Sequence, residues 1–189
     1  MTRAIIFDCF GVVISDALEV ICARLRAKDP AAADEVRGLV HASNRGIITP
    51  RESGEHIARI LGVSYEQYRQ QIAEGETKDV ELLRYIKELR QTYKTALLSN
   101  IGVDSLERRF EPGELEHYFD VVVASGEIGY AKPELQAYVI TAQRLGVAPE
   151  ECVFVDDRSP YCEAARAASM QAILYQDLAQ FRSELKTLL

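Results

Sequence analysis

No CxxC pair occurs among the four cysteines of this 189-residue sequence, Cys9, Cys22, Cys152 and Cys162. No Cys/His cluster has the spacing of a zinc site. Reduced thiols in a cytosolic protein are the expectation. Excess positive charge is also missing. The formal net charge is -7, which argues against a nucleic-acid footprint and, more weakly, against anionic membranes. No apolar run approaches the ~18 residues of a transmembrane helix. The N-terminus has no basic region followed by an apolar stretch and a cleavage site, so no signal peptide is expected. Internal repeats, low-complexity segments and long linkers are absent too. What remains is a chain with 48% hydrophobic residues, enough for a sizeable core in one domain, or in one domain with a modest insertion.

The stretch Ala4-Ile5-Ile6-Phe7-Asp8-Cys9-Phe10-Gly11-Val12-Val13 organises the rest. A short apolar run that ends in one carboxylate, with a turn-former just beyond, reads as a strand buried on both faces of a parallel sheet. An acid at the carboxyl end of such a strand sits where open α/β sheets place ligands. The plainer reading is an Asp that ends the strand and caps a turn. Cys9 reads as a small buried filler.

From Asp16 to Lys78 the pattern is helical throughout. Leu18, Ile21, Cys22 and Leu25 keep helical spacing. Asp29-Pro30 starts a second helix, continued by Val36, Leu39 and Val40, with Gly46 as a left-handed end. Thr49-Pro50-Arg51-Glu52 and Ser64-Tyr65-Glu66-Gln67 are capping boxes for two more. Beyond them strands and helices alternate. Thr95–Leu98, Asp120–Ala124, Cys152–Val155 and Ala172–Leu174 read as strands. The helices are marked by Leu82–Leu89, Leu135–Leu145, Ala164–Ala168 and Leu178–Leu189. Five strands alternating with helices predict a parallel sheet. The segment from Ile101 to Tyr118 carries no clear pattern.

Three strands end in polar groups: Asp8, Ser99-Asn100 and Asp156-Asp157. In a parallel sheet all carboxyl ends point the same way, so these groups are predicted to converge on one crevice. Lys132, ahead of Pro133-Glu134 at the start of a helix, can reach the same place. Singly, each has an ordinary reading as a cap, a helix-dipole partner or a solvated lysine. Together and in this order they are specific.

In that combination the chain resembles the haloacid dehalogenase-like hydrolase superfamily, mostly phosphatases. Phe7-Asp8-Cys9-Phe10-Gly11-Val12-Val13 resembles its first motif and Leu97-Leu98-Ser99-Asn100 its second. Tyr130-Ala131-Lys132-Pro133-Glu134 resembles the third, and Phe154-Val155-Asp156-Asp157 with Glu163-Ala164-Ala165-Arg166 the fourth. The stretch Asn44–Pro50 is similar to a cap loop of small glucose-1-phosphate phosphatase-like members. The resemblance implies an α/β fold: a five-stranded parallel Rossmann-like three-layer core from residues 1–15 and 79–189, with residues 16–78 as an inserted small helical cap. It implies a phosphatase acting on a small phosphorylated metabolite in the cytoplasm. Asp8 is then the nucleophile, forming an aspartyl-phosphate. Ser99 and Lys132 are catalytic, and Gly11, Ser99, Asn100 and Lys132 bind phosphate. Three carboxylates in one crevice repel one another, and a hard cation, Mg²⁺, resolves that. Its ligands would be Asp8, Asp156, Asp157 and the backbone carbonyl of Phe10.

The sequence departs from the family at Phe10. Most family phosphatases carry a second Asp there as general acid and base, and losing such a group typically costs ~10²–10⁴-fold in rate. The dehalogenases also lack an acid at that place, because halide leaves as an anion. They need no metal, however, and do not keep paired acids in the fourth motif. A 2-haloacid dehalogenase and a non-catalytic phosphate-binding member are therefore the alternatives. Smaller departures are Tyr161, where relatives often carry Asn, and Ser169, where they often carry Gly. His41, Arg45, Arg51 and His56 read as a solvated helix face, Tyr65, Tyr68 and Tyr138 as packing, and His117 as unpartnered. Oligomeric state leaves no mark in the sequence.

Overall fold

A computed structural model describes every residue except Asp104. The first strand, β1 (Ala4–Phe7), is followed by four helices, α1 (Ala17–Arg26), α2 (Pro30–Asn44), α3 (Pro50–Leu61) and α4 (Tyr65–Gly75). Then come α5 (Val80–Leu89), β2 (Lys94–Ser99), α6 (Glu114–Tyr118), β3 (Val121–Ala124), α7 (Ser125–Ile128) and α8 (Leu135–Leu145). The chain closes with β4 (Cys152–Asp156), α9 (Ser159–Ala167), β5 (Gln171–Leu174) and α10 (Leu178–Leu188).

The five strands form one parallel sheet in the order β3-β2-β1-β4-β5. The chain runs outward from β1 through β2 to β3, then returns to the other side of β1 for β4 and β5. That reversal between β1 and β4 is the switch point at which open α/β sheets leave a crevice. All four residues of β1 are buried, and its side chains alternate between the two faces. Ile5 and Phe7 join Leu97, Val153 and Val155 beneath α5 and α10, where Phe181 meets the Phe7 ring edge-on at 5.7 Å. Ala4 and Ile6 join Ala96, Leu98 and Phe154 beneath α8 and α9. Each large side chain so buried contributes roughly 1.5–3 kcal/mol. A strand covered on both faces needs the unbroken apolar run seen in the sequence.

The helix signals in the first half hold. Asp29 caps α2 with Pro30 in the first turn, and both capping boxes close, at Thr49/Glu52 and Ser64/Gln67. Gly46 is left-handed as expected, one residue past the Arg45 that caps α2. Helices α1 to α4 pack on one another around a small core of Cys22, Val36 and Ile57. Two neighbouring strands of backbone tie this bundle to the sheet: Ser15 N–H donates to the Thr77 carbonyl at 3.0 Å and Asp79 N–H to that of Val13 at 2.9 Å.

Two differences from the sequence expectation are physical. Helix α9 begins at Ser159 rather than near Ala164, because its first turn holds Pro160 and polar residues and shows no apolar period. Helices α6 and α7 were not expected; at five and four residues they are too short for a 3.6-residue period to appear. No described helix is long and apolar enough to cross a membrane.

Candidate active site

The crevice at the β1/β4 switch point holds the predicted residues. Asp8 extends the ladder one step beyond β1, its N–H donating to the Val155 carbonyl at 2.8 Å. Its carboxylate is thus set by the sheet itself. Asp156 ends β4 and is completely buried. Lys132 bridges the two: its Nζ lies 2.6 Å from Asp8 Oδ1 and 2.6 Å from Asp156 Oδ2. The rings of Phe154 and Tyr161 face the same ammonium at 5.4 and 5.0 Å, a favourable setting for a desolvated cation. The other Asp156 oxygen accepts the Arg158 N–H at 2.9 Å.

Burial pushes the Asp8 carboxyl above the ordinary carboxylate range, against the pull of Lys132, with Asp156 adding to the rise. Burial opposes the Lys132 charge, yet the two carboxylates hold its pKa above the usual value. Asp157 still reaches solvent. Burial and the neighbouring Asp156 push it up to about 6. Three carboxylates thus meet one lysine, and the Asp156 charge is part of what raises both Asp8 and Asp157.

One oxygen from each of Asp8, Asp156 and Asp157 lies within 4.8 Å of the others. An all-oxygen donor set of this kind suits a hard divalent cation of the Mg²⁺ type. The backbone turn after Asp8 fits as well. The bonds around Phe10 run from Ile14 N–H to the Cys9 carbonyl and from Gly11 N–H to the Ile14 carbonyl, so they do not engage the Phe10 carbonyl.

Gly11 does something other than expected, and Asn100 does something more. Gly11 was assigned to phosphate binding, but its N–H is committed to Ile14 at 2.7 Å. Its backbone is left-handed, with φ 89°, and a Cβ there would overlap the Asp157 carboxylate; glycine clears space for that acid. Asn100 was assigned to phosphate through its backbone N–H. Its side chain, a separate group, clamps the lysine loop, Nδ2 donating to the Lys132 carbonyl and Oδ1 accepting the Lys132 N–H, each at 2.8 Å. Ser99, by contrast, is fully buried at the end of β2, and its hydroxyl has no hydrogen-bond partner among the described residues. A buried orphan hydroxyl costs about 1–3 kcal/mol, and at an active site it points to a ligand oxygen.

Of the smaller departures, Tyr161 puts its ring over Lys132 and its carbonyl on the Tyr138 hydroxyl at 2.9 Å. Ser169 adopts φ 68°, a conformation that favours glycine.

Above this floor a cleft of about 350 Å³ runs beneath the α1–α4 bundle. Phe10 lines it, half-buried, with the Arg109 guanidinium over its ring at 5.0 Å. Arg109 is held by Glu76 in two bonds, of 2.7 and 2.8 Å. Arg37 and Glu19 form a second pair on the wall, at 2.8 Å. Sequence reasoning missed all four, since each pair joins positions too distant for a local pattern to link. Of the bundle residues considered beforehand, His41 lines the cleft. Arg45 pairs with Glu134 at 3.3 Å, and Arg51 with Glu55, while His56 is exposed. Tyr138 is core, and His117 packs edge-on against Tyr118.

Comparison with known proteins places this geometry in context. The family model described as haloacid dehalogenase-like hydrolase matches residues 2–169. The D-ribitol-5-phosphate phosphatase of Bacteroides thetaiotaomicron is 26% identical over 214 aligned positions, covering 100% of this chain and 99% of that one. Fructose-1-phosphate phosphatase YqaB of Escherichia coli is 44% identical over 59 residues, 31% of each chain. Against the first curated relatives the matched region spans less than half of their length. A predicted HAD-like family hydrolase from Porphyromonas gingivalis superposes with a TM-score of 0.76 at 26% identity, covering 100% of this chain and 98% of its own. A HAD family enzyme from Bacteroides thetaiotaomicron gives the same TM-score of 0.76 at 21% identity, covering 96% and 98%.

Proposed function

The chain belongs to the haloacid dehalogenase-like hydrolases, and from that premise we propose that it is a Mg²⁺-dependent phosphatase of small phosphorylated metabolites. The reading takes residues 16–78 as a cap over a core of 1–15 and 79–189. The observation that carries it is the three-carboxylate cluster of Asp8, Asp156 and Asp157, two of them paired with a single buried lysine. Such a site invites both a divalent cation and a substrate with several anionic oxygens. The curated relatives with phosphatase names, among them ones for sugar and polyol phosphates, support the same class.

In this reading Asp8 attacks phosphorus and carries the phosphoryl group, which water then removes. Bound Mg²⁺, held by Asp8, Asp156, Asp157 and the Phe10 carbonyl, would offset the carboxylate and phosphoryl charge. Lys132 supplies a fixed positive charge beside the attacking oxygen. The orphan Ser99 hydroxyl donates to a phosphoryl oxygen. Asn100 keeps Lys132 in place through its backbone, and Gly11 leaves room for Asp157. The cleft volume limits the substrate to a small metabolite.

The test is release of inorganic phosphate from a panel of phosphorylated sugars and polyols with Mg²⁺. Wild type is expected to release it and Asp8→Asn is not. Silence across the panel, with Mg²⁺ present, sinks the reading. Phe10 is the one observation that favours a 2-haloacid dehalogenase instead. Chloride release from 2-chloropropionate without metal would establish that alternative. Binding of Mg²⁺ and phosphate analogues without turnover would establish a non-catalytic member.

A further inference from the structure

Phe10 leaves a chemical gap. When the bond between phosphorus and the substrate oxygen breaks, the electron pair goes to that oxygen, and an alkoxide is a poor leaving group unless its charge is met. Phenylalanine can neither donate a proton nor carry charge. The side chain stacked on it can meet charge. Arg109 lies over the Phe10 ring at 5.0 Å and lines the same cleft as Asp8 and Lys132.

The guanidinium is also fixed in orientation. Its Nε and Nη2 donate to the two Glu76 oxygens, and Nη1 donates to the Ser105 carbonyl at 2.8 Å. Arginine has five N–H groups. Among the described residues three are thus engaged, and two remain for a ligand. Its side chain is 22% exposed, so the charge is screened less than on an open surface. A planar cation held by a bidentate carboxylate on one edge and an aromatic ring on one face is preorganised before substrate arrives.

We propose that Arg109 is a further catalytic residue that stabilises the leaving oxygen, in place of a general acid at position 10. The assignment rests on the phosphatase reading. In the first step an Asp8 oxygen bonds to phosphorus and the bridging P–O bond breaks. The alkoxide forms against the Arg109 N–H groups. Arginine stays protonated, so the alkoxide takes its proton from a cleft water, which leaves as hydroxide. In the second step water attacks phosphorus and the bond to Asp8 breaks, restoring the carboxylate. The proton from that water neutralises the hydroxide. The sum is phosphomonoester plus water giving alcohol plus phosphate.

The test varies the leaving group. A pentitol phosphate leaves as an alkoxide, whereas 4-nitrophenyl phosphate leaves as a stabilised phenolate that needs little help. Arg109→Gln is expected to lose about 10²-fold in kcat on the pentitol phosphate. KM should stay within about threefold, and kcat on 4-nitrophenyl phosphate should change by less than about fivefold. Arg109→Lys, which keeps the charge, should recover about tenfold of the loss. If Arg109→Gln does not fold, Arg109→Lys decides: a deficit confined to the alkyl substrate supports the role, and an equal deficit overturns it. Equal losses on both substrates with Arg109→Gln, or a raised KM at unchanged kcat, overturn the assignment and leave the phosphatase reading standing. A wild type that releases phosphate neither from these two substrates nor from the wider panel removes the phosphatase reading and this assignment with it.

Discussion

The floor of the cleft and its roof hold charge in different ways. On the floor Lys132 is 1% exposed, between Asp8 at 7% and Asp156 at 0%. On the roof Arg37 and Glu19 keep 35% and 50% of their side chains in solvent. Out of water, an ion left without its partner costs several kcal/mol, so each floor residue depends on the others. On the roof solvent screens the pair, and its net contribution is ~0–1 kcal/mol. The floor is therefore intolerant and suited to one chemistry. The roof can change side chains cheaply, which is where substrate preference is expected to reside. Arg109 and Glu76 lie between these regimes, with 22% and 12% exposure.

This contrast can be broken by experiment. The largest effect is expected from Asp8→Asn, which should reduce phosphate release by at least ~10⁴-fold with the fold retained by circular dichroism. Residual activity near wild type would remove Asp8 from the proposed role. Next is Lys132→Met. It strands two buried carboxylates and should lower stability by about 3–5 kcal/mol in denaturant titration. A loss below ~1 kcal/mol would mean the floor is no less tolerant than a surface pair.

The third prediction concerns the acids and pH. Asp157, raised to about 6 when folded, binds a proton more tightly there than in the unfolded chain, where its value is near 3.8. Its stabilising contribution is full below about 3.8 and is lost as pH rises through about 6. Asp157→Asn should therefore gain in melting temperature over wild type in chelator, and gain more at pH 7 than at pH 4. The same substitution should abolish the rise in melting temperature that Mg²⁺ gives wild type. In wild type, Mg²⁺ affinity should weaken as pH falls through about 6, because proton and cation compete for the carboxylates. A pH-independent affinity would contradict the shift. The smallest effect is expected from Glu19→Gln. It should cost less than ~1 kcal/mol in stability and change KM rather than kcat. A kcat loss comparable with a floor substitution would erase the distinction between roof and floor.

Much of the floor was legible before any coordinates. Asp8, Ser99 and Asp156 each stand at the end of an apolar run, and a parallel sheet carries such ends to one edge. The capping boxes at Thr49 and Ser64 were legible for a similar reason, since a cap is made within four residues. Less was legible where function depends on which bond a group has already made. Gly11 sits in the expected place, yet its N–H is spent on Ile14, and the Asn100 side chain takes up the Lys132 backbone, a bond that no local pattern predicts. Short helices such as α7 left no period to read.

By itself, then, the sequence determined the parallel sheet, its strand ends and the acids and lysine that meet there. These follow from local alternation, caps and apolar runs, which act over a few residues. Tertiary structure decided the surroundings of Phe10. Glu76 and Arg109 are 33 positions apart, and Phe10 is farther still from Arg109. No local pattern links them, because a charge pair over a ring is set by how the helical bundle docks on the sheet. The sequence could show that a proton donor was missing; only the packed chain could show a cation at that place.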